Sequence, residues 1–158
     1  MDLTSTVHRS NVTTASVEDT YALLADVPSS VAHFPEIESL VEERGAWVWR
    51  LRKLGAGPLT FQVHYAARYA FDPVARVVRW DPVDGVGNTR VSGRWTVTPS
   101  GSGARFSMDT TFTLSLPFPR PLKGAVEAIL QHENERILGI YLNNLATTLN
   151  GGNGRVPR

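Results

Sequence analysis

Glu133 is the position in this chain whose type and setting point most directly to chemistry. It lies near the middle of the apolar side of a long helical pattern, between Leu130 and Ile137. A carboxyl group sheltered there is a candidate proton carrier or polar anchor for a ligand. The competing account is that it emerges at a rim or pairs with an arginine, because buried ions are normally paired. Tyr65 and Tyr69 share one strand face and are placed to donate hydrogen bonds to an enol or phenol oxygen. As core tyrosines with hydroxyls reaching the rim they are equally ordinary.

Other reactive arrangements are missing. The run His132-Glu133-Asn134-Glu135-Arg136 approximates a zinc-binding helix, but the second histidine of that motif falls at Arg136. The four histidines, His8, His33, His64 and His132, are scattered along the chain, so no metal is expected. With no cysteine, disulfide frameworks, thiolate zinc sites, iron–sulfur clusters and cysteine nucleophiles are excluded together. There is no Gly-x-Ser-x-Gly elbow, phosphate loop or dinucleotide fingerprint. Gly101 and Gly103 fall in a hairpin rather than between a strand and a helix, and no cofactor is expected. Asn11-Val12-Thr13 matches a glycosylation acceptor but sits in a strand of a chain with no export signal at its start.

The elements that must position these side chains follow from periodicity. At 158 residues and 42% hydrophobic, one domain with a single core is the expectation. Sixteen basic side chains against fifteen acidic make the chain too balanced to live by neutralising nucleic-acid phosphates. No segment reaches the ~18 uninterrupted apolar residues of a membrane span, and a cytoplasmic protein is expected.

Residues 3–13 read as a strand. Ser16 is placed to cap a helix whose first turn carries Glu18 and Asp19, and Val17, Tyr21 and Leu24 follow at helical spacing to about Asp26. Pro28 and Pro35 bracket a second short helix over residues 29–34. From residue 37 to 116 the pattern turns to period two, cut into six strands by Arg44-Gly45, Gly55-Ala56-Gly57-Pro58, Asp72-Pro73, residues 84–88 and residues 100–103. One face of this antiparallel meander is apolar and aromatic. The other carries Arg50, Arg52, Arg68, Arg79, Arg90, Arg94 and Arg105, paired across strands with acids or offered to an anionic partner. After Pro117, Pro119 and Pro121, residues 122–149 form an amphipathic helix with Val126, Leu130, Glu133, Ile137, Ile140, Tyr141, Asn144 and Thr148 on one side. The domain is expected over residues 1–150, with a flexible tail at 151–158.

Strand, two short helices, six antiparallel strands and one long terminal helix is an order that resembles the helix-grip fold of the START-related (SRPBCC) superfamily. That group includes polyketide cyclases/dehydrases, lipid-transfer proteins and plant proteins like the birch-pollen allergen. The stretch from Val12 to Asp26 is similar to the family's opening, a strand followed by a capped helix with an aromatic and an Asp at its end, and Phe34-Pro35-Glu36-Ile37 to its entry into the second strand. The resemblance implies an α+β domain in which a curved seven-stranded antiparallel sheet wraps around the long C-terminal helix. It also implies an apolar cavity between sheet and helix.

Strand parity then nominates Trp47, Trp49, Tyr65, Tyr69, Trp80, Trp95, Met108, Thr110 and Phe112 as cavity-lining, with Ile129, Glu133 and Ile137 from the helix. The leading expectation is a carrier of a hydrophobic small molecule such as a lipid, an isoprenoid or an aromatic polyketide. The first alternative is an aromatase/cyclase acting on a poly-β-keto chain, with Glu133, Tyr65 and Tyr69 moving protons. The second is a non-catalytic accessory protein that docks through its arginine face. A monomer or homodimer is expected, with no nucleic-acid partner.

Overall fold

The computed structural model describes residues 1–151; the tail expected at 151–158 lies, past Gly151, outside them. Strand β1 (Asp2–Thr13) exposes its even positions and turns Leu3, Ser5, Val7 and Arg9 inward, as a period of two requires. Ser16 caps α1 (Val17–Ala25), accepting a hydrogen bond from Asp19 N at 3.0 Å. Asp26 caps α2 (Val27–Val31) through Ser29 N at 3.3 Å. The second helix therefore starts two residues ahead of the expected residue 29 and ends at Val31. Pro28 sits inside its first turn, where the missing N–H has no partner to lose.

Seven strands form one antiparallel sheet with β1 and β2 at its edges. In chain order they are β1, β2 (Ile37–Glu43), β3 (Ala46–Leu51), β6 (His64–Asp72), β7 (Val77–Pro82), β8 (Thr89–Ser100) and β9 (Gly103–Ser115). The spatial order is β1-β9-β8-β7-β6-β3-β2. This is the helix-grip layout, an α+β fold with a seven-stranded sheet and a long C-terminal helix.

The continuous strand expected over residues 59–71 is broken. Residues 54–56 (β4, Leu54–Ala56) and 59–61 (β5, Leu59–Phe61) pair as a separate hairpin. Gly55 takes φ +95°, and a Cβ there would stand 2.1 Å from the Leu59 carbonyl oxygen, so this turn admits only glycine. Where the chain leaves the ladder, the Asn88 side chain replaces the missing strand bonds, accepting from His64 N at 3.1 Å and donating to Gln62 O at 2.7 Å. The hairpin folds Leu54 and Phe61 into the core.

Helix α3 (Lys123–Asn150) runs 28 residues across the concave face. Its C-terminal half is tied down by side chains. Tyr141 Oη and Ser30 Oγ are 2.6 Å apart, and Asn144 donates to His33 O at 3.0 Å. Asn150 Oδ1 accepts from Thr13 Oγ1 at 2.8 Å and Thr14 N at 2.9 Å. Buried His33 presents Nδ1 to the Ser29 carbonyl at 2.8 Å, which assigns the proton to Nδ1 and leaves Nε2 to accept from the Thr148 hydroxyl at 2.8 Å.

Candidate functional site

Between the sheet and α3 lies a cavity of about 110 Å³. Its floor is built by alternate residues of the central strands: Trp49, Tyr65, Tyr69, Trp80, Trp95, Met108, Thr110 and Phe112. Ring contacts join the aromatic wall into one arc. Tyr65 stacks on Trp49 at 5.5 Å, and Trp49 meets Phe34 edge-on at 5.3 Å. Phe34 then meets Tyr141 at 5.1 Å, and Tyr141 meets Trp95 at 5.8 Å. Trp95, Trp80 and Tyr69 complete the arc at 6.3 Å and 6.0 Å. Offset and edge-on ring pairs each add about 0.5–1.5 kcal/mol beyond area burial.

One glycine seats this wall. Gly93 pairs across the ladder with Trp80, and a Cβ on it would stand 2.8 Å from the indole ring and 2.3 Å from the Asp109 carbonyl oxygen. The Trp80 ring therefore lies against bare backbone.

Among the described residues, no Asp, Glu, His, Lys or Arg lines the cavity. Its polar atoms are neutral. Burial pushes the Tyr65 hydroxyl well above its ordinary value, with Tyr69 and Tyr141 adding to the shift. Burial likewise raises Tyr69, Tyr141 adds to it, and the nearby Trp49 indole N–H partly opposes it. Tyr141 is raised by burial and only partly eased by its bond to Ser30. All three phenols are thus proton donors throughout the physiological range. Thr110 spends its hydroxyl on the Ser92 carbonyl at 3.2 Å and Thr89 on Asn88 Oδ1 at 2.8 Å. Trp49 Nε1 and Asn134 Nδ2, on residues of the wall, are buried with no hydrogen-bond partner among the described residues. The indole approaches Tyr69 without reaching hydrogen-bond geometry.

The chain matches the family model described as polyketide cyclase / dehydrase and lipid transport over residues 4–150. It belongs to that family. Several solved structures share its fold. A protein of Thermus thermophilus matches with a TM-score of 0.73 at 20% identity, covering 94% of this chain and 99% of the other. The Zhui aromatase/cyclase from a Streptomyces species gives 0.67 at 18%, covering 93% and 94%. A START superfamily protein from Mycobacterium smegmatis gives 0.62 at 12%, covering 90% and 97%. No curated protein matches the chain in sequence.

Three of the nominated lining residues of this family member are placed elsewhere. Trp47 is half-buried at the start of β3, next to the Arg44-Gly45 turn and opposite Ala67, one pleat repeat beyond the cavity floor. Ile129 and Glu133 miss because α3 is rotated from the expected face. Its lining residues are Leu130, Asn134, Ile137, Leu138 and Tyr141. At ~100° per residue these cluster within about 100°, while Glu133 falls about 80° and Ile129 about 120° from their centre. Ile140, expected on the same face, is 37% exposed for that reason.

The Glu133 carboxylate instead meets Arg136 at 2.6 Å, and Arg136 also reaches Glu36 at 3.4 Å. That bond to Glu133 is the main cause of a raised Arg136 pKa, so the guanidinium stays charged. Asn134, Phe34 and Tyr141 line the cavity although the sequence pattern does not nominate them for it. Asn134 directly follows Glu133, and the signal that separates them is the helix rotation that the leucines Leu130, Leu138, Leu142 and Leu145 set together.

The seven arginines of the convex face are all exposed. Asp109, a candidate partner for them, is held by His8 at 2.6 Å. Among the described residues no group of three or more histidines or acids gathers as a metal site, and no helix is long and apolar enough to cross a membrane.

Proposed function

We propose that the protein binds a hydrophobic small molecule, such as a lipid, an isoprenoid or an aromatic polyketide, between the sheet and α3. The observation that carries this reading is the composition of the cavity wall, which among the described residues is mostly aromatic and aliphatic and free of charge. Apolar burial at about 25 cal/mol per Å² supplies the drive. At about 110 Å³ the space suits a single ring, since an engineered apolar cavity of about 150 Å³ takes up benzene. Larger guests require the N-terminal half of α3 or the β4–β5 hairpin to yield. Among the described residues, the side-chain bond from α3 to the rest of the fold that lies N-terminal to Gly139 runs from Arg136 to Glu36.

The alternative of an aromatase/cyclase keeps Tyr65 and Tyr69 as donors that would polarise a keto oxygen. It has no base in the cavity, because Glu133 is bound to Arg136 outside it. This favours binding over proton-transfer catalysis. The accessory-protein alternative rests on the exposed arginines, of which Arg79 and Arg94 stand directly opposite each other.

Titration of the protein with 1-aminoanthracene, read by tryptophan quenching, together with native mass spectrometry of gently purified material, tests the proposal. Saturable quenching that Met108→Trp abolishes while circular dichroism stays native is expected. A wild-type protein that takes up no fluorophore and carries no added mass refutes it.

A further inference from the structure

The three phenols that line the cavity use their hydroxyls differently. Tyr141 Oη is engaged with Ser30 Oγ at 2.6 Å. Thr110 and Thr89 have likewise spent theirs, on the Ser92 carbonyl at 3.2 Å and on Asn88 Oδ1 at 2.8 Å. The Tyr65 and Tyr69 hydroxyls make no hydrogen bond among the described residues, yet neither oxygen is one of the unpartnered atoms sealed off from open space. Tyr65 as a whole is only 8% exposed, Tyr69 is half-buried, and both line the cavity. Their hydroxyls therefore end in the free volume beneath α3.

Four residues apart on β6, the two side chains leave the same face of the strand. Trp49 on β3 links them. Its ring stacks on Tyr65 at 5.5 Å, and its indole N–H approaches the Tyr69 oxygen. A donor on that oxygen takes up a lone-pair direction and leaves the phenolic proton to point elsewhere. Tyr69 is also near enough to Tyr65 to reinforce the burial that keeps the Tyr65 proton in place. The space thus offers two neutral O–H donors and, among the described residues, no cation. A guest oxygen that accepts from a phenol regains the hydrogen bonding it gave up in water. A hydrocarbon leaves both donors unmet, and a carboxylate enters with no counter-charge.

We propose that Tyr65 and Tyr69 select the guest by its acceptor oxygen, and that the ligand is an uncharged one-ring compound carrying a carbonyl group. Tyr65 is the principal donor, because the indole of Trp49 already crowds the Tyr69 oxygen. The inference rests on the cavity being a ligand site; it narrows the guest by excluding plain hydrocarbons and carboxylic acids.

The test is displacement of bound 1-aminoanthracene by acetophenone, by α-methylstyrene, which puts a methylene where the ketone has its oxygen, and by benzoate. The ratio of ketone to hydrocarbon affinity cancels the probe's own affinity and any change in cavity size. It should fall about two- to tenfold in Tyr65→Phe, the worth of one hydrogen bond, and fall again when Tyr69→Phe is added. Benzoate should displace nothing at concentrations where acetophenone displaces the probe. The carbonyl stretching band of bound, isotope-labelled acetophenone should lie below its position in a hydrocarbon solvent and move back up in Tyr65→Phe, a shift that a purely structural tyrosine would not cause. A ratio unchanged in Tyr65→Phe, or benzoate binding as well as the ketone, overturns the assignment while the cavity reading stands. If Tyr65→Phe does not fold, a carbonyl band in wild type at its hydrocarbon-solvent position overturns it equally. A wild-type protein that takes up neither the probe nor any of the three compounds overturns both.

Discussion

The same substitution at two glycines should move stability in opposite directions. At Gly93 a methyl group would stand 2.3 Å from the Asp109 carbonyl oxygen and 2.8 Å from the Trp80 ring. An ordinary contact begins near 3.4 Å, so backbone or indole must retreat by about 1 Å, and overpacking of this kind costs about 1–3 kcal/mol. At Gly139, inside α3, nothing lies within 4 Å of the added carbon. Alanine there gains about 0.8–1 kcal/mol from helix propensity alone. With an unfolding entropy of about 2.1 cal/mol/K per residue, the 158 residues give roughly 0.33 kcal/mol/K, so 1 kcal/mol corresponds to about 3 °C. Gly93→Ala should therefore lower Tm by about 3–9 °C and Gly139→Ala should raise it by about 3 °C, both read by scanning calorimetry. Tryptophan emission supplies a second readout, because only the first variant displaces Trp80. A Gly93→Ala protein within about 1 °C of wild type would show that Trp80 does not depend on the bare backbone beneath it. A lower Tm for Gly139→Ala would contradict the open space along that helix face.

Four further outcomes follow from the same geometry. Tyr141→Phe strands the buried Ser30 hydroxyl, now 2.6 Å from the phenol, and should cost about 1–3 kcal/mol in urea unfolding. Glu133→Gln should leave fluorophore uptake intact, because the carboxylate meets Arg136 at 2.6 Å and does not line the cavity; loss of uptake would return Glu133 to the cavity. Uptake of a neutral fluorophore should be flat from about pH 6 to about 10, since no cavity group titrates there. Above that range stability should fall. Tyr65, Tyr69 and Tyr141 hold their protons more tightly folded than unfolded, so the unfolded chain releases them first, at about 1.4 kcal/mol per pH unit for each tyrosine. A stability curve that stays level to about pH 12 would contradict the burial of these phenols.

Strand parity is a local property, and it was legible. The two-residue period that turns Leu3 and Val7 inward on β1 also turns Trp49, Trp80 and Trp95 toward α3, because adjacent Cβ atoms point to opposite faces wherever a strand forms. The end of β3 is where this reasoning stops. Trp47 has the right parity but stands past the cavity floor, since parity sets a face and not a position along it.

On α3 each residue turns the direction by about 100°, so an error of one position moves a side chain off the lining altogether. Glu133 and Asn134 are neighbours in sequence, and the packing of Leu130, Leu138 and Tyr141 against a sheet made of distant residues decides which of them faces the ligand space.

The amino-acid sequence alone determined the order of the main-sheet strands and helices, the Ser16 cap of α1 and the apolar face, since all are written in short-range spacing. Tertiary structure alone decided the β4–β5 hairpin, the free volume beneath α3, and the N–H groups of Trp49 and Asn134 that lack a partner among the described residues. A void and an unmet donor are defined by atoms far apart in the chain that fail to meet, and no local pattern records a contact that is not made.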